Sequence, residues 1–155
     1  MGMDIESSEL EINEKIEAFI IELGLPFEEV QTGLWLVHDE IDYIDNIVVY
    51  HNPPVLTFRV KLMELPDYEV QSELFKRLLQ LNASSMVAGA FGLEDEAVVI
   101  VESVQSASLD QNGFQAAIDA IALSVREHYQ ELRAIIRPDE EDDEKNAPVE
   151  AADQA

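Results

Sequence analysis

Three histidines, His38, His51 and His128, and a dense population of carboxylates are the side chains best able to do chemistry in this 155-residue chain. His38-Asp39-Glu40, followed by Asp42 and Asp45, is the one cluster with metal-ligating character. It lacks the glycine that bends a calcium loop and the final glutamate that closes it. A solvated acidic loop accounts for it better, and no metal site is expected. His51 borders a proline turn. His128 falls at the edge of a helical apolar stripe, where a packed histidine is the usual outcome. Acid–base catalysis needs two carboxyls whose surroundings push their pKa values apart; here acids are so abundant that no pair stands out. The chain has no cysteine, which removes disulfides, thiolate nucleophiles and thiolate zinc sites. It has no Gly-x-Ser-x-Gly, phosphate-binding loop or dinucleotide fingerprint. Gly89-Ala90-Phe91-Gly92 has the form of an RNA-binding G-x-x-G loop, but it lacks basic neighbours and sits in a strand pattern. Asn82-Ala83-Ser84 matches a glycosylation sequon, which has meaning only in a secreted chain. The expectation is a protein that is not an enzyme and holds no cofactor.

Charge is the most unusual global property. There are 33 acidic and 9 basic residues, a formal net charge of -24. Eight acids and one lysine lie from Pro138 onward, so residues 1–137 still carry -17. Such a field repels phosphate backbones and argues against nucleic-acid binding. It either favours basic partners or keeps an otherwise adhesive protein soluble. Met1-Gly2-Met3-Asp4-Ile5-Glu6 has no basic or apolar region of a secretory signal. The longest apolar stretch, Met86 to Leu93, is far short of the roughly 20 residues of a membrane span. No membrane association and a cytoplasmic location are expected.

Local patterns define the elements that must position these residues. Ser8 and Glu11 have capping-box spacing, after which Ile12, Ile16, Phe19, Ile20 and Leu23 recur at helical intervals until Gly24 and Pro26. Gly33 to His38 and Ile47 to Tyr50 read as strands around a polar connection. Asn52-Pro53-Pro54 must turn, since neither proline can donate to a ladder. Val55 to Met63 alternates, with Leu56, Phe58, Val60 and Leu62 on one side and Thr57, Arg59 and Lys61 on the other. A second helix is predicted over about 67–81. A hairpin follows, formed by 86–93 and 97–105 around Glu94-Asp95-Glu96. A last helix covers about 110–137, carrying the stripe Phe114, Ile118, Ile121, Val125, Tyr129, Leu132 and Ile136. Residues 1–7 are expected to be a flexible N-terminus, 8–137 one α+β domain, and 138–155 a disordered acidic tail. The order is α-β-β-β-α-β-β-α, an antiparallel sheet flanked by helices.

This order, the run Trp35 to His38 before an acidic connection, the strand Val55 to Met63, and Gly89-Ala90-Phe91-Gly92-Leu93 leading into the second hairpin resemble the type III secretion chaperone-like fold. More narrowly, they resemble the YbjN-type family of bacterial sensory-transduction regulators. The likeness spans roughly residues 8–136. It implies an antiparallel sheet with flanking helices, frequent homodimers and no enzymatic activity. In the secretion chaperones it also implies capture of an extended partner segment along the sheet and first helix.

Two surfaces are singled out. In the second helix, Val70, Leu74, Phe75, Leu78, Leu79 and Leu81 spread over roughly 180°, wider than packing on one sheet requires. Phe75 and Leu79, at the far edge of this arc, are either core or a homodimer interface. Trp35, Val37 and Tyr50 are placed with Arg59 and Lys61 on one partner-binding face, because aromatic residues beside arginine are common interface anchors; ordinary packing of Trp35 is the alternative. The expected function is a dimeric, chaperone-like module that binds a protein or peptide segment. An acidic regulatory adaptor, mimicking a polyanion at a basic site on another macromolecule, is the second reading.

Overall fold

A computed structural model describes residues 2–39, 44–86 and 88–138. The first helix, α1 (Gly2–Glu22), is followed by four antiparallel strands, β1 (Phe27–Gln31), β2 (Leu34–Asp39), β3 (Ile44–Asn52) and β4 (Val55–Glu64). Then come α2 (Tyr68–Ser84), the hairpin β5 (Ala90–Glu94) and β6 (Ala97–Gln105), and α3 (Gln111–Ile136). The six strands form one sheet in the order β1-β2-β3-β4-β6-β5. The α+β class is as expected, an antiparallel sheet with helices, but it contains one strand more than the sequence pattern announces. β1, Phe-Glu-Glu-Val-Gln, is an exposed edge strand with no alternation to betray it.

Local chemistry explains most boundaries. At the end of α1, Gly24 takes φ +71°, and Gly24 N–H and Leu25 N–H donate back to Ile21 O (3.0 Å) and Ile20 O (3.4 Å). These two bonds form the paired closure that a left-handed glycine permits. Ser8, by contrast, is not an N-cap: α1 starts upstream at Gly2 and Ser8 is an exposed residue within it. Asp110 does cap α3, accepting from Gly113 N–H at 2.8 Å. Asn52 ends β3 and Val55 begins β4, so Pro53 and Pro54 form the turn; the bond between them is cis. The hairpin turn places Asp95 at φ 52°. The acidic tail, from residue 139 on, lies outside the described residues, as do Glu40 and Asp42 of the His38 cluster.

All three helices share one core with one side of the sheet. Ile16, Phe19 and Ile20 of α1, Leu74, Leu78 and Leu81 of α2, and Phe114, Ile118 and Ile121 of α3 pack with Trp35, Val37, Val49, Phe58 and Ile100. Phe114 sits at the centre, with ring centroids 5.8 Å from Phe19 and 5.3 Å from Phe58. Each such buried aromatic contributes about 1.5–3 kcal/mol relative to exposure.

Candidate functional site

Strand alternation decides what the sheet presents to each side. On the helix side, Trp35 pairs with Val49 and Val37 with Ile47, and Trp35 and Val37 are 0% exposed. Trp35 Nε1–H donates to Glu17 Oε2 of α1 at 3.3 Å. The grouping of Trp35 and Val37 with Tyr50, Arg59 and Lys61 therefore fails. Tyr50 pairs with Leu34 and Thr57, and Arg59 with Val48, on the opposite side of the same sheet. The physical reason is period two: positions 35 and 37 share a side with 49 and 58, not with 50 and 59.

The side turned away from the helices is built in rungs. One runs Leu36–Val48–Arg59–Val101, the next Leu34–Tyr50–Thr57–Ser103, and the last Asn52–Val55–Gln105. Leu34, Leu36, Val48, Val55 and Val101 are half-buried and Tyr50 is 41% exposed. At the β3–β4 end a hollow of about 370 Å³ is lined by Val48, Tyr50, Asn52, the Pro53–Pro54 turn, Val55, Thr57 and Arg59. Charges on this side are largely spent within it. Arg59 Nε lies 2.9 Å from Glu94 Oε2, and Lys61 pairs with Glu64. The leucines and valines of this side escaped the sequence reading because Leu34-Trp35-Leu36-Val37 is apolar on both sides and offers no alternation to read.

The second helix divides its two singled-out residues. Phe75 is half-buried against the core, whereas Leu79 is 69% exposed. Tyr68 on the same helix is 87% exposed and Leu93 on neighbouring β5 is 52% exposed. The spacing of Tyr68, seven residues before Phe75, was the available signal for a stripe continuing along α2. Asn82 at the end of α2 grips β5: Phe91 N–H donates to its Oδ1 (2.8 Å), and its Nδ2 donates to Phe91 O (3.1 Å).

Two of the three histidines, His51 and His128, are buried in the fold. His128 is buried and packs edge-on to Phe91, centroids 5.9 Å apart. His51 is buried on the helix side of β3, its Nδ1 2.6 Å from Asn13 Oδ1 of α1. Burial lowers its pKa from the ordinary histidine value, opposed by the field of Glu9. A hydrogen bond with Glu17, then desolvation, raises the pKa of Glu29. Among the described residues no group of three or more histidines and acids is placed to hold a metal, and no helix is long and apolar enough to cross a membrane.

Three helices and a six-stranded antiparallel sheet make this an α+β domain of the type III chaperone-like fold. Residues 9–137 match the CesT_Tir_1 family, and the chain belongs to that family. No curated protein sequence matches it. Solved structures share the fold at low identity. The heterodimeric ExoU–SpcU complex from the type III secretion system of Pseudomonas aeruginosa matches with a TM-score of 0.59 and 17% identity, covering 78% of this chain and 97% of that one. The HopA1–SchA chaperone–effector complex matches with a TM-score of 0.59 and 15% identity, covering 80% and 97%. YbjN from E. coli matches with a TM-score of 0.55 and 14% identity, covering 78% and 89%.

Proposed function

We propose that this chain is a non-enzymatic, chaperone-like protein of the cytoplasm that holds a segment of another protein against the free side of its sheet. The observation that carries this reading is the one-sided packing. Three helices cover one side, while Leu34, Leu36, Val48, Tyr50 and Val101 remain partly exposed on the other. Clustered apolar surface of this kind in a folded domain commonly marks an interaction site. Membership of a chaperone family supports it, as does likeness in fold to one half of a chaperone–effector complex. The exposed stripe of α2, Tyr68 and Leu79 with half-buried Phe75, is the surface through which the chain forms a homodimer in this reading.

Site-directed photo-crosslinking tests the partner surface. A photoreactive residue at Leu36 or Val101 is expected to yield protein adducts. One at Lys15 of α1 or Asn112 of α3, both exposed, is not. Equal yields at both sets of sites sink the proposal. The charge of -24 favours the second reading, an acidic adaptor at a basic site. That complex should collapse between low and high salt, whereas apolar binding should persist.

A further inference from the structure

At the sheet end opposite the Pro53–Pro54 turn, the last turns of α3 lie beside the end of β4. The β4–β6 register shifts between Lys61 and Met63, so Leu62 is an extra residue and the strand bends there. Beside this bend lies a groove of about 160 Å³. β4 lines it with Leu62, Met63 and Glu64, and α3 with Tyr129, Arg133, Ile136 and Arg137. Small-molecule sites begin at roughly 300 Å³, so the groove suits side chains of a passing segment and not a metabolite.

Charge on this part of α3 is sorted by face. Arg126, Arg133 and Arg137 recur at intervals of seven and four residues, which puts them within about 40° of one another at 3.6 residues per turn. The two acids of the same stretch, Glu127 and Glu131, fall about 100–140° away from Arg126. There Glu131 pairs with Arg77 of α2. Three of the nine basic residues in the chain thus form one line, against 33 acids in all. Glu64 of the groove wall pairs with Lys61. Arg133 Nη1 donates to Tyr129 Oη at 3.5 Å; a guanidinium carries five donors, so this contact does not exhaust it.

The sequence supplies a segment of opposite charge at that spot. Arg137 is followed by Pro138, which has no N–H to continue the helix, and then by Asp139-Glu140-Glu141-Asp142-Asp143-Glu144. Six extended residues span about 20 Å, and the line from Arg126 to Arg137 is about 16 Å long. A run tethered this closely meets the arginines at roughly millimolar effective concentration, ahead of a free acidic segment. Carboxylates on guanidinium forks make the stronger class of hydrogen bond.

We propose that residues 139–144 fold back along α3 and lie on Arg133 and Arg137 over the groove, a strap by which the chain covers its own basic stripe. Its role follows from the total charge. Left open, the stripe is where the acidic surfaces of other copies, each at -24, would settle. Filled from within, it offers them no counter-charge.

The chain has no cysteine, so Asn146→Cys gives the full chain a single site for a nitroxide label just past the acid run. The readout is the broadening that the label causes at the methyls of Leu62 and Met63 on β4. Strong broadening is expected at low salt, and none there would overturn the strap. It should fall at least about threefold in 1 M salt, where the screening length shrinks to about 3 Å. The same fall is expected at low salt with Arg133→Gln and Arg137→Gln together. Replacing the six acids by asparagine and glutamine makes the same comparison if the arginine variant fails to fold. Broadening that survives salt or either set of substitutions comes from a tethered segment swinging past, and overturns the proposal. Isotope-labelled chain without the nitroxide, mixed with nitroxide-bearing chain without the isotope, should show little effect. Equal broadening in that mixture would put a second copy's tail on the stripe and overturn the intramolecular strap.

Discussion

Asn82→Ala is the substitution with the most readable consequence. Phe91 lies on the edge strand β5, and its N–H and C=O point away from β6 to the Asn82 side chain, at 2.8 and 3.1 Å. The amide does here what a seventh strand would do, satisfying a donor and an acceptor of one residue. A typical hydrogen bond contributes about 0.5–1.5 kcal/mol net. Losing both should therefore lower unfolding free energy by about 1–3 kcal/mol, with an unsatisfied part-buried peptide pushing toward the upper figure. Asn82→Asp keeps the acceptor for Phe91 N–H but turns a carboxylate oxygen on Phe91 O, so it should recover little. Urea denaturation followed by circular dichroism gives the energy, and hydrogen exchange at the Phe91 amide gives the location. An Asn82→Ala variant that unfolds within about 0.3 kcal/mol of the parent, or whose Phe91 amide exchanges no faster while stability falls, would refute this role for Asn82. In the second case the loss would come from α2 alone.

Other consequences follow from the same geometry. His51 has a lowered pKa in the fold, so the unfolded chain binds more protons below its ordinary value of about 6.5. Its contribution is fully present above that pH and is lost as pH falls toward the folded pKa; His51→Gln should flatten this part of the stability–pH curve, and an unchanged slope would refute it. Gly89 has φ +73°, and an added Cβ would stand 2.7 Å from Val101 O. Gly89→Ala should cost more than the roughly 1 kcal/mol of left-handed strain alone, and a neutral result in thermal unfolding contradicts the close approach. Leu79→Glu should stay within about 0.5 kcal/mol of the parent in monomer stability while halving the solution mass of a dimer. Phe75→Ala, touching the core, should cost about 1–3 kcal/mol; the reverse ordering of the two would place the helix differently.

What could be read from the sequence depended on whether a local signal had one structural solution. Gly24 and Asp110 did: a left-handed closure and a side-chain cap fix an end by short-range chemistry alone. Ser8 did not, because serine with a glutamate three residues on is also tolerated on the exposed face of a helix already under way. β1 was invisible since Phe27 and Val30 are its only apolar residues and one edge of it pairs with nothing in the sheet. The two sides of the sheet cannot be told apart from the sequence for a non-local reason. Leu34-Trp35-Leu36-Val37 is apolar throughout, so only pairing with β3, Trp35 to Val49 and Leu34 to Tyr50, tells which half faces the helices. A register shift of one residue would exchange the two sets.

The two exposed apolar surfaces do not compete for space. Leu79 and Tyr68 lie on α2, whose other side, Leu74, Leu78 and Leu81, is fixed in the helix-side core. The Leu36–Val48–Val101 ladder belongs to the opposite side of the sheet. A dimer built through α2 therefore leaves one free sheet side on each subunit. Two such sides on one particle can engage two stretches of a single partner, where the second contact becomes intramolecular and adds avidity without new contacts. Each free side then needs only modest affinity for the segment that we propose it holds. The charge of -24 would set copies of the chain against one another and so limit indiscriminate association through these two apolar surfaces.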